Sequence, residues 1–409
     1  MKLSSFFSKS KNIFQGDLSI WTVFFLLCTI SIIEVYSASS NMSYKSGAFW
    51  RPVLEHVGYF GFGFLATLIL HRIPCRYFKL LPLPMLIFSL IFLVLTLFTE
   101  KVNNASRWYG VAGINFQPSE VAKCTLVIYI ALILANTQTE KGANRQAFGL
   151  IFWPTALFCG LIFPENFSTA AMTFLISLIM MYIGRVPWNQ LGKLLGIIAL
   201  IGGTAFCFLK FTPDQQISEW GKQPGLHRLE TWANRLKEHS EEEVDAKSYN
   251  IRDNTQVAHA RIAIASSNLL GKGPGNSVER DFLPQPFSDF IYAIIVEETG
   301  LLGGALVMFL YFILLFRTSL IASRCERSFP AFLIMGLAIM MVIQAMINMA
   351  VAVGVFPVTG QPLPLVSKGG TSTVMNCIYI GMILSVSRTS KKKKRINEEE
   401  QLVCEDNDL

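Results

Sequence analysis

The residues best placed for chemistry lie at the edges of long apolar runs. In FLPQPFSDFIYAIIVEETGLLGG, residues 282–304, Asp289 stands between a polar loop and an apolar run that still holds Glu297 and Glu298. Ionisable groups at membrane depth are costly enough to imply a task. An acid at a water–lipid boundary can meet a substrate with a polar head and a greasy tail, and can accept a hydroxyl proton as a general base. The plainer reading is a helix cap, because Ser288 or Asp289 is a good N-cap before FIYAIIV, and spacing alone favours it. Glu297 lies about two turns below Asp289, rotated roughly 80°, with Glu298 nearly opposite, so both cannot face one cavity on a straight helix. Glu297 reads as a structural or supporting group.

Cations and further polar groups recur at similar junctions. Arg107 lies in ASRWYGV, just before QPSEVAK, residues 117–123. There Pro118 suits the first turn of a helix and Glu120 its positive end. Lys123 is one turn deeper, within i,i+3 reach of Glu120, and an intrahelical ion pair or snorkelling are its plain readings. LIFPENFSTAAM, residues 161–172, reads as a tight solvated turn with Glu165 and Asn166 as its polar groups. In residues 347–376 three prolines and repeated glycines interrupt an apolar stretch, and such backbone is tolerated at that depth only where protein or a water-filled cavity satisfies it. This predicts a cavity with Ser367, Lys368 and Thr371 available to an anionic ligand.

The elements that must position these groups are membrane spans. Of 409 residues 52% are hydrophobic and 15% charged, and apolar runs of spanning length recur along the chain. The expected fold is an all-α polytopic membrane protein; a soluble chain would spread charge through its helices, and a barrel would alternate in short segments. Spans are expected at about 18–39, 53–72, 78–98, 118–136, 148–163, 168–184, 193–211, 288–316, 331–355 and 372–388. An even number places both termini on one side. Short loops on that side hold Arg72, Arg76, Lys79, Lys141, Arg145, Arg185, Lys193, Arg317, Arg324 and Arg327, against Lys45, Arg51, Lys101, Arg107 and Lys368 opposite, so the termini are cytoplasmic.

The resulting order is a cytoplasmic segment 1–17, spans one to seven over 18–211, a large extracytoplasmic loop 212–287, spans eight to ten over 288–388, and a cytoplasmic tail 389–409. In the large loop, Leu226, Leu229, Trp232, Ala233 and Leu236 form one stripe of an amphipathic helix, and a second helix over about Gln256 to Leu270 stops at GKGPGNS. The tail, with KKKKR at 391–395, reads as a basic membrane anchor followed by a disordered acidic end. The net charge of +7 is therefore about membrane orientation, with no call for nucleic acid. Eight cysteines show no CxxC spacing and none falls in the large loop, so neither disulfides nor a structural metal are expected.

Taken together, RWYGVAGINFQPSEVAK, PENFSTA, LLGKGPGNS with FLPQPFSDFIYAIIVEETGLLGG, and NMAVAVGVFPVTGQPLPLVSKGGTS resemble the shape, elongation, division and sporulation (SEDS) family of peptidoglycan glycosyltransferases, its division branch (FtsW) more than its elongation branch (RodA). The resemblance runs from the first span to the tenth. It implies polymerisation of lipid II, an undecaprenyl-pyrophosphate-linked disaccharide-pentapeptide, at the outer face of the bacterial cytoplasmic (inner) membrane, with inversion. It maps the family's essential aspartate onto Asp289, its charged PSE–K residues onto Glu120 and Lys123, and its RW arginine onto Arg107. A class B penicillin-binding transpeptidase and other membrane proteins of the division or elongation complexes are the implied partners. The departing pyrophosphate calls for fixed cations, Arg107, Lys123 and Lys368, or a divalent cation, Mg2+ or Mn2+. The chain departs from the family at FPENFSTA, at Leu283-Pro284-Gln285 and at Ser367-Lys368-Gly369-Gly370-Thr371-Ser372, so roles for Glu165, Gln285 and Lys368 do not carry over from it. A lipid II flippase, an elongation polymerase and a scaffold for division partners are the alternative readings.

Overall fold

The computed structural model describes residues 14–44, 50–96, 109–111, 114–164, 166–212, 255–283 and 287–407. In chain order its helices are α1 (Leu18–Tyr44), α2 (Trp50–Leu70), α3 (Pro82–Thr96), α4 (Pro118–Thr137), α5 (Arg145–Ile162), α6 (Phe167–Ile183), α7 (Trp188–Phe211), α8 (Thr255–Ser266), α9 (Ile291–Ser323), α10 (Ser328–Ala352) and α11 (Thr371–Asn407). All except α8 coincide with an expected span. By length and composition α1, α2, α4, α5, α9 and α10 can cross a membrane, and α3 and α6 are shorter apolar helices. Large apolar side chains such as Phe62, Trp153, Phe309 and Phe316 face outward, as a bundle solvated by lipid requires. The chain is an all-α polytopic membrane protein. The amphipathic stripe at 226–236 lies outside the described residues, while α8 forms where the second loop helix is expected.

Helix α4 is the hub, packing on α3, α5, α6, α10 and α11. It is apolar on all sides and mostly buried, as a helix surrounded by others must be. Helix α11 lies chiefly along α2, and α9 packs between α1, α8 and α10.

Polar ties mark the two ends of the bundle. At one end Arg317 pairs with Asp17 at 2.5 Å, and Arg388 donates to Gln15 Oε1 at 3.4 Å and to the Arg72 carbonyl at 2.8 Å. The beginning of α1 and the middle of α11 therefore share an end. The tail departs from expectation: α11 continues to Asn407 through the basic run, where a disordered acidic end was expected. Lys, Arg, Glu and Gln are good helix formers, and a helix already nucleated upstream adds each further residue without repeating that cost.

Helix α9 is broken. Gly300 has φ 75° and ψ −177°, so Ile291–Thr299 is a separate half-helix, wholly buried apart from Thr299, and the loop that follows α8 is spliced into the break. The Leu301 and Leu302 amides donate to the Asn268 and Leu269 carbonyls, and the Glu297 and Glu298 carbonyls accept from the Lys272 and Gly273 amides. Every bond lost by breaking the helix at these positions is replaced from the loop, the condition for irregular backbone at membrane depth. The approach is so close that a Cβ at Gly300 would lie 2.3 Å from the Leu269 carbonyl oxygen. Helix α8 ends at Ser266, short of the expected Leu270 and before GKGPGNS is reached, and residues 268–273 form the partner segment of this splice.

Candidate active site

Asp289 does not cap the half-helix. Phe290 occupies the cap position with no side-chain cap bond, and Asp289 lies one residue earlier in a turn, half-buried, its Oδ1 accepting from Ser288 Oγ at 3.0 Å. The turn is held through its backbone. Asn348 Nδ2 of α10 donates to the Asp289 carbonyl at 2.8 Å, Ser367 Oγ donates to the Ser288 carbonyl at 2.7 Å, and the Lys368 amide donates to the Phe287 carbonyl at 2.9 Å. Three consecutive carbonyls are fixed in this way, and none of these bonds uses the carboxylate.

The strap that does the fixing, residues 361–368, is itself irregular and largely buried, with Leu365 at φ 63°. Side chains from three helices satisfy it. Asn348 donates to the Gln361 carbonyl at 2.8 Å, Gln344 to Pro362 at 2.9 Å, Tyr311 to Pro364, and Ser31 to Val366 at 2.5 Å. Ser367 Oγ also accepts from the Leu363 amide at 2.7 Å, so this hydroxyl serves as a staple between strap and turn.

Helix α4 begins at Pro118 with Glu120 in its first turn, as QPSE suggests. Lys123 Nζ lies 2.7 Å from Glu120 Oε1 and donates to Gln344 Oε1 at 3.1 Å, and with 1% of its surface exposed it does not snorkel. Gln344 and Asn348, four residues apart on α10, connect the Lys123 pair to the Asp289 turn. Gln361 extends the network to Thr169 Oγ1 at 2.6 Å, and Asn166, buried and not in a solvated turn, caps α6 by accepting from the Thr169 amide at 3.1 Å. Lys368 reaches outward to Glu55 Oε2 at 3.2 Å and lies over the Phe287 ring. Arg107, Glu165 and Gln285 lie outside the described residues.

Both glutamates of the half-helix take partners from the same loop segment, residues 272–280, and not from Asp289's turn. Glu297, fully buried, accepts from Lys272 Nζ at 2.6 Å, Ser277 Oγ at 2.5 Å, and the Val278 and Glu279 amides at 3.1 and 3.4 Å. Glu298 accepts from Ser37 Oγ of α1 and from the Gly275 amide at 3.0 Å, with Arg280 at 3.7 Å. Together they clamp the loop after α8 to the helical bundle.

Sequence reasoning missed Gln344, Gln361 and Thr169 as parts of the site, and read Asn348 only as part of the interrupted stretch. The signal was available: two amide side chains four apart in an apolar span share one helix face and need partners there. Among the described residues no group of three or more His, Cys, Asp or Glu could hold a metal ion.

A family model described as Cell cycle protein, covering FtsW, RodA and SpoVE, matches residues 17–392. A probable peptidoglycan glycosyltransferase FtsW from Nitrosococcus halophilus is 30% identical over 93% of this chain and 94% of its own. The protein of the same name from Coxiella burnetii is 27% identical over 93% and 98%, and stage V sporulation protein E from Bacillus subtilis 28% over 92% and 98%. Among solved structures, a chain from a peptidoglycan synthase complex matches with TM-score 0.72 at 23% identity over 91% of this chain and 98% of that one. The rod shape determining protein RodA of Thermus thermophilus matches with TM-score 0.63 at 21% identity over 91% and 97%.

Proposed function

This chain belongs to the FtsW/RodA/SpoVE family of cell cycle proteins, and from that premise we propose that it is a peptidoglycan glycosyltransferase, an inverting enzyme that polymerises lipid II into β-1,4-linked glycan strands for the septal wall. Relatives named FtsW that align over nearly their whole length support the division assignment. The observation that carries the mechanism is the mounting of Asp289: a half-buried acid at the end of the bundle, its backbone fixed by Asn348 with Ser367 and Lys368 fixing the two carbonyls before it, and excluded from the cap position.

In the reaction a sugar hydroxyl of one chain attacks the anomeric carbon of the other. Its proton passes to the Asp289 carboxylate as the new bond forms, the bond from that carbon to the diphosphate oxygen breaks, and undecaprenyl diphosphate leaves with the electron pair. Fixed positive charge favours that departure. Arg107 and Lys368 are assigned to it; Lys123, neutralised by Glu120, acts by holding α4 against the amides that anchor the turn.

The bundle end that carries Asp289 faces outward, both termini are cytoplasmic, and the loop 212–287 is extracytoplasmic in the inner membrane. A class B penicillin-binding transpeptidase is the partner we assign to that outer face. Purified protein given labelled lipid II is expected to yield polymer. Asp289→Asn is expected to lower the rate by about a hundredfold or more, the share a general base supplies, and undiminished polymerisation by that variant would remove the base assignment.

A further inference from the structure

We propose that the first turn of α11 is the seat of the donor's diphosphate, an assignment that rests on the glycosyl-transfer reading and says which groups receive the leaving group. Among the described residues the hydroxyls of Thr371, Ser372 and Thr373 have no hydrogen-bond partner, although Ser372 and Thr373 are each only 2% exposed. Hydroxyls so deeply buried are normally bonded, and three successive exceptions at one helix start point to an absent acceptor. They stand at the positive end of a long helix, where backbone amides and aligned peptide dipoles favour an anion.

The approach is open. Gly369, Gly370 and Thr371 are half-exposed in front of the buried pair. A Cβ at Gly369 would come 3.1 Å from Ser372 Cβ and 3.7 Å from its hydroxyl oxygen, so Ser372 lies directly beneath this glycine and a side chain there would crowd the entrance. Lys368 adds a cation at the rim. Its partner Glu55 is about half-exposed, so a diphosphate can compete with that solvated carboxylate for the ammonium. The other candidates for this task are engaged: Ser367 Oγ with Ser288 and Leu363, and Lys123 with Glu120 and Gln344. The Lys368 amide is bonded to the Phe287 carbonyl, two residues before Asp289, which brings the start of α11 and the proposed base onto one strap.

The test is calorimetric titration of inorganic diphosphate into the full chain in nanodiscs, with undecaprenyl diphosphate as lipid competitor in a second arm. Wild type is expected to bind diphosphate. Ser372→Ala/Thr373→Val is expected to weaken binding about tenfold or more, the range for losing hydrogen bonds to a charged group, and Asp289→Asn to retain it. Thr371→Val, at a half-exposed position, serves if the double variant melts below wild type. Equal binding by wild type and hydroxyl-free variants overturns the proposal, as does absence of binding to wild type. Undecaprenyl diphosphate that displaces inorganic diphosphate from wild type supports the lipid-linked source; failure to displace it limits the turn to free phosphates and overturns the leaving-group assignment. Hydroxyl-dependent binding by a protein that makes no polymer would uphold this site and sink the polymerase reading; polymer made at full rate by the double variant would do the reverse.

Discussion

At Asp289 and Lys123 two ionisable groups in similar sequence settings have come to different ends. Asp289 is fixed by its backbone and left half-buried, while Lys123 is locked with Glu120 at 2.7 Å and shut off from solvent. Lys123→Met would leave Glu120 charged in the interior, with an expected loss of about 3–5 kcal/mol in reversible unfolding; adding Glu120→Gln should restore most of it, and a double-mutant cycle measures the difference. Cysteines give a second check at this scale. Burial pushes the Cys325 thiol from its ordinary 9.0 to about 11 and that of Cys75 to about 12. The folded state thus keeps protons that the unfolded state loses above pH 9, so stability should hold below pH 9 and fall as pH rises through 11. Alkylation of Cys325 in the folded protein should be about a hundredfold slower at pH 8 than for a thiol titrating at 9, because the thiolate is the reacting form. Residue types and junctions were legible in the sequence because polar groups stand out against apolar runs. Their partners were not: Gln344 is 221 residues from Lys123, and Asn348 is 59 from Asp289.

The spans were legible because a bilayer demands about twenty apolar residues per crossing. The break in α9 was hidden because the apolar pattern continues on both sides of it, and TGLLGG reads as a helix with small residues. What decides the break is the incoming loop, which supplies bonds that local sequence cannot reveal. The cap reading of Asp289 failed similarly, since helix start and polar junction differ here by a single residue. Gly300→Ala should be among the most damaging changes in the chain. Its φ and ψ belong to a region essentially reserved for glycine, and strain plus collision with Leu269 should cost on the order of 3 kcal/mol or more. A Gly160→Ala control, inside α5 with open space where the Cβ would stand, should cost far less in the same thermal melts.

Seen whole, the molecule separates its tasks by depth. Asp17, Arg72, Arg317 and Arg388 tie one end together, and the strap, turn and clamped loop occupy the other. Reporter domains fused to either terminus should therefore read the same compartment, the cytoplasm under the orientation proposed above; opposite readouts would contradict the contact between Gln15 and Arg388. The seam at Gly300 has a further consequence. The loop that precedes the acid bonds to both sides of this seam, to the Glu297 and Glu298 carbonyls before it and to the Leu301 and Leu302 amides after it. A pull on that loop is felt by the half-helix through Lys272 and Gly273 and by the helix beyond the break through Asn268 and Leu269. Mechanically, the acid's turn hangs between the strap on one side and this seam on the other, and a neighbour gripping the loop would hold a lever whose short arm ends beside it.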